Sequence, residues 1–103
     1  ESQKLWFYVP DGTPSFVIGL LSGGWPAIRL RVWDGDGRLV FSSNDLRAGD
    51  EVSIAVPERQ RAKVWALGVN GLRVKLELYD VPPYLSRHPS ELLVPAGALS
   101  LRR

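Results

Sequence analysis

A chain of 103 residues that is 45% hydrophobic and 23% charged can fill one core but is short for two, so a single domain over residues 1–103 is expected. Its formal charge of +2 and pI near 9.3 are too slight for whole-molecule attraction to nucleic acid, and the lack of cysteine excludes disulfides and thiolate chemistry. No apolar run reaches the length of a membrane-spanning helix, and Glu1-Ser2-Gln3-Lys4 lacks the character of a signal peptide.

Lys4 to Val9 reads as a first strand rich in aromatic residues, closed by the turn residues Pro10-Asp11-Gly12-Thr13-Pro14. Ser15 to Leu21 is a second strand, with Phe16, Ile18 and Leu20 on one face. Ser22-Gly23-Gly24-Trp25-Pro26-Ala27 is a loop, and Trp25 in it has no strand period to explain it. From Ile28 to Ser42 the pattern predicts a hairpin: Ile28, Leu30 and Val32 share one face, Arg29, Arg31 and Trp33 the other, and Asp34-Gly35-Asp36-Gly37 supplies the turn. Leu39 and Phe41 are expected to resume the alternation beyond it.

Asn44 to Asp50 is a polar connection, and Val52, Ile54 and Val56 mark a strand over Glu51 to Val56, stopped by Pro57. After a charged turn at Glu58 to Arg61, Ala62 to Gly68 is another strand, and Asn70-Gly71 is a hairpin signal leading into Leu72 to Tyr79. There Leu72, Val74, Leu76 and Leu78 alternate with Arg73, Lys75, Glu77 and Tyr79. Pro82-Pro83 ends regular structure, and an eighth short strand is expected around Leu92 to Val94. Glycine and proline at near-regular intervals, with no sustained helical period, predict an all-β antiparallel sandwich, jelly-roll or Ig-like, of seven to eight strands.

The run Phe7-Tyr8-Val9-Pro10-Asp11-Gly12-Thr13, then Arg31-Val32-Trp33-Asp34-Gly35-Asp36-Gly37, then Lys63-Val64-Trp65-Ala66-Leu67 resembles accessory β-sandwich domains of secreted bacterial hydrolases. These include carbohydrate-binding-module-like and pre-peptidase C-terminal-like domains, and the likeness spans most of residues 5–80. The resemblance implies a non-catalytic module of a larger secreted bacterial protein, with polysaccharide as ligand class and a neighbouring catalytic domain as partner. It assigns no binding residue.

Residues able to carry catalysis are few, so no enzyme activity is expected of this chain. His88 is the only histidine and lies in a loop, while Asp34 and Asp36 stand where a tight turn selects acids. Those two acids would supply part of a calcium shell, as would Asn44, Asp45, Asp50 and Glu51, but neither group makes a full set; no metal or other cofactor is assigned.

Binding rests on the four tryptophans, because the C–H face of a sugar ring packs on an indole. Trp65 is assigned to the core, since Val64 and Ala66 would fill little volume, and Trp6 fits either face. Trp33 faces outward with Arg29 and Arg31, and Trp25 is free of strand duty. The expected ligand-binding residues are Trp25, Trp33, Arg29, Arg31 and Tyr79. If their strands are neighbours, Arg29, Arg31, Lys63, Arg73 and Lys75 make one basic face, which suits an anionic glycan better than nucleic acid because Glu77 interrupts it. The function expected is a carbohydrate-binding module that targets an appended glycan-degrading enzyme to polysaccharide, with no nucleic-acid or membrane partner. The alternative is a structural accessory domain that packs against a neighbouring catalytic domain and binds no glycan.

Overall fold

The computed structural model describes residues 3–24, 27–70 and 73–88, and for Gln3 the backbone alone. Trp25, Leu72 and the expected strand around Leu92 to Val94 lie outside the described residues. Among the described residues seven strands form: β1 (Gln3–Val9), β2 (Ser15–Ser22), β3 (Ile28–Trp33), β4 (Leu39–Leu46), β5 (Glu51–Ala55), β6 (Lys63–Asn70) and β7 (Lys75–Tyr79), with one short 3-10 turn at Glu58–Gln60. They pair antiparallel into a four-stranded sheet, β1-β6-β3-β4, and a three-stranded sheet, β5-β2-β7, packed as a sandwich.

The period-two pattern decides what each sheet buries. Phe7 and Val9, Ile28, Leu30 and Val32, and Trp65 and Leu67 point inward from the larger sheet. Phe16, Ile18 and Leu20, Val52 and Ile54, and Leu78 meet them from the smaller one. Phe7 and Trp65 are register partners on adjacent strands, and Phe16 enters from the opposite sheet to meet both edge-to-face, at 5.3 Å and 72° to Phe7 and 5.4 Å and 86° to Trp65. Such T-shaped contacts place positive ring edges on negative ring faces and fix the lateral position of one sheet on the other.

Three local expectations are corrected. Asn70-Gly71 does not close a hairpin between its flanking strands: both edges of β6 are taken by β1 and β3, and β7 joins β2 in the other sheet. Leu39 and Phe41 do not share a face. A register shift between Val32 and Trp33 leaves Val40 as an extra residue, so Phe41 opposes inward Val32 while Leu39, 52% exposed, opposes outward Trp33. The polar connection expected from Asn44 is still strand through Leu46, which packs against the core.

The β3–β4 turn is held by its own acids. Asp34 is buried, and its Oδ1 accepts the backbone N–H groups of Asp36 (2.9 Å) and Arg38 (3.0 Å). Asp36 reaches across to the 3-10 turn and the start of β6, where its carboxylate accepts from Gln60 Nε2 (2.6 Å) and Lys63 Nζ (3.0 Å). Gln60 in turn accepts the Trp65 Nε1–H at its backbone carbonyl (2.9 Å), which ties the turn to the core.

The Gln60 amide first, and Lys63 after it, hold the Asp36 carboxyl below its ordinary pKa. A carboxyl with a depressed folded-state pKa stabilises the fold above its unfolded value, and that contribution disappears as pH falls through the lowered one, here below about pH 4. The acid-induced drop in urea midpoint is therefore expected to be smaller in Asp36→Asn than in the parent protein. Equal drops in the two proteins would show that the Asp36 contacts contribute nothing.

Candidate binding face

The outer face of the four-stranded sheet gathers most of the chemistry that the sequence singles out. Its strands β1, β6 and β3 lie side by side, and their register sets outward residues in rows. Trp6, Ala66 and Trp33 make one row, and Lys4, Gly68 and Arg31 the next. Arg29 stands opposite Asn70 beyond them, and Tyr8 opposite Val64 at the other end. With strands about 4.8 Å apart, β1 and β3 are about 10 Å from each other across β6. Because β6 carries only Ala66 and Gly68 between them, both buried, the middle of the face is a floor with indoles and cations along its two sides.

Each wall has a local cause. Trp6 alternates with Leu5 and Phe7, which face the core, and it packs over Tyr8 and Val64 in a small apolar cluster outside the main core. Burial first, and the Asp11 charge second, push the Tyr8 phenol above its ordinary pKa. Trp33 ends β3, half-buried, with the exposed Leu39 of β4 as its neighbour. Lys4 bridges the floor: its Nζ lies 4.7 Å from the Trp6 ring centroid and 4.6 Å from that of Trp33. Each contact is a cation–π pair worth about 0.5–1 kcal/mol at an exposed site.

No acid occupies an outward position of β1, β6 or β3. Arg29 is exposed and Arg31 half-buried, and neither makes an ion pair with any described residue. The face is thus positive with aromatic walls.

Of the residues expected to bind, Trp33, Arg29 and Arg31 come together here, and Trp25 lies outside the described residues. Tyr79 does not join them. It is on the outer face of the three-stranded sheet, on the far side of the sandwich, with its ring against Gly19 and its hydroxyl donating to Glu77 Oε1 at 3.2 Å. Burial, then the Glu77 and Glu51 carboxylates, raise its pKa above the ordinary phenol value. The larger basic patch is likewise divided, because Lys63 pairs with Asp36, and Lys75 projects from β7 in the other sheet.

Sequence reasoning leaves Trp6 open and puts Lys4 at the start of the first strand without a binding role. The signal that would have found both is the pairing of β1 with β6, which sets Trp6 beside Ala66 and Lys4 beside Gly68. Among the described residues no three of His, Cys, Asp and Glu converge as metal ligands. No family model matches the chain, and neither a curated protein nor a solved structure matches it.

Proposed function

We propose that this domain is a non-catalytic carbohydrate-binding module of a secreted bacterial glycan-degrading protein, holding an appended catalytic domain on its polysaccharide. The observation that carries this reading is the row Trp6–Ala66–Trp33, two indoles set across a small-residue floor on an outer sheet face. Sugar rings pack their C–H faces on indole surface and hydrogen-bond to flanking polar groups, which Lys4, Arg31 and Arg29 supply. The likeness of the three strand motifs to accessory domains of secreted hydrolases supports the same reading. The carboxylates of Asp34 and Asp36 are occupied in turn and cross-strand hydrogen bonds, which suits a scaffold role better than acid–base work.

Affinity electrophoresis of the purified chain through gels containing neutral or acidic soluble polysaccharides tests the proposal. Retardation is expected on at least one polymer, falling at least about tenfold in apparent affinity in Trp33→Ala and in Trp6→Ala with far-UV circular dichroism unchanged. Unretarded migration through every gel would replace this reading with the structural alternative, in which the same face meets a neighbouring domain.

A further inference from the structure

The outer face is positive where a neutral-sugar site needs no charge. Lys4, Arg31 and Arg29 stand within two adjacent rows of one sheet face, with no carboxylate among the outward residues of β1, β6 and β3. Like charges so placed repel one another, and none of the three makes an ion pair with a described residue. The Lys4 ammonium is instead held over both indoles, where the ring quadrupoles attract it without neutralising it. A ligand descending between Trp6 and Trp33 therefore meets an ammonium before it meets bare ring.

From this we infer that the face selects an acidic glycan: a polymer that brings an anionic substituent to Lys4 and Arg31 and lays the C–H faces of its rings on the indole surface left uncovered. The inference rests on the carbohydrate-binding reading above and names its ligand class. Lys4 and Arg31 flank the buried Gly68 from opposite sides in one row, so an anion lying over that row meets both cations. Charge-assisted hydrogen bonds to a carboxylate or sulfate are the strongest such a site makes. A single-stranded nucleic acid carries anions too, but three cations on a chain of net charge +2 offer its phosphates few contacts.

The test compares polymers that differ in charge alone. Polygalacturonate is set against its methyl ester, and dextran sulfate against dextran, with an oligothymidylate as a fifth arm. Tighter binding to the charged member of a pair by roughly tenfold or more is expected, weakening steeply between about 50 and about 200 mM salt, and the pair that responds tells carboxylate from sulfate.

Lys4→Gln and Arg31→Gln are expected to remove most of that preference, weakening the binding of the charged member several-fold more than that of the uncharged one. Lys75→Gln, on the outer face of the other sheet, is expected to change nothing. Equal affinity for charged and uncharged members, unaffected by Lys4→Gln, would overturn the acidic ligand and leave the module reading standing. An equal loss in Lys75→Gln would reduce the effect to general attraction between a basic chain and a polyanion and overturn the site. Tightest binding to the oligothymidylate, or no binding to any polymer, would overturn both readings together.

Discussion

Replacing Trp65 with alanine is expected to lower the free energy of unfolding by about 4 kcal/mol, within the range for deleting a large buried aromatic side chain. Three losses combine at this residue. The fully buried indole leaves a cavity on the inner face of the four-stranded sheet, Phe16 loses one of the two rings that receive its edge, and the Gln60 carbonyl loses the Nε1–H that it accepts at 2.9 Å. Trp65→Phe separates them, because it keeps a ring for Phe16 and removes the donor; its cost is expected to be about 1–2 kcal/mol. Urea unfolding followed by far-UV circular dichroism measures both. A cost below about 1 kcal/mol for alanine would contradict the core described above.

The second large effect is expected from Gly24→Ala, at about 3 kcal/mol. Gly24 has φ of +75°, and a Cβ there would run into the Ile28 side chain, coming 2.8 Å from Cδ1. Ile28 is fully buried, so it has no solvent to swing into. The cost combines about 1–2 kcal/mol for a left-handed residue other than glycine with about 1–3 kcal/mol for overpacking. Gly37→Ala is the control: φ is +84°, but nothing lies within 4 Å of the added carbon, so only the backbone cost of about 1 kcal/mol is expected. Equal midpoints for the two variants would remove the steric argument and leave the dihedral alone.

These two residues also mark what could be read from the chain before its structure. Trp65 was placed in the core from the small size of Val64 and Ala66, and the two faces of Ile28 to Trp33 followed from alternation, since a strand's period is a local property. Strand neighbours are not local. Nothing near Trp6 says that it faces β6 rather than the interior, and nothing near Asn70-Gly71 says that the edges of β6 are already taken. Asn-Gly permits a tight turn without demanding one, and here the pairing of β1 and β3 with β6 overrode it. The slip at Leu39 has a similar origin, because one extra residue at Val40 reverses the facing of those that follow, until a second register shift opposite Ile28 to Leu30 reverses it again. The importance of Lys4 is not legible locally because it lies in two rings, Trp6 and Trp33, that stand 27 positions apart in the chain.

The position of β6 carries a kinetic consequence. The four-stranded sheet places the sixth strand between the first and the third, so β1 has no neighbour in its own sheet until residues 63–70 arrive. The β3–β4 hairpin and the β2–β5 pair draw on earlier parts of the chain, while Phe7 waits for its register partner Trp65 across nearly sixty residues. Closing so long a loop is slow, and a chain emerging from the ribosome would carry the aromatic β1 unsatisfied until residues 63–70 had been made. Once β6 slots in, it completes the inner ring contacts and the floor of the outer face in one event. The outer face of the four-stranded sheet therefore waits on β6, and no nascent fragment that ends before Lys63 can display it.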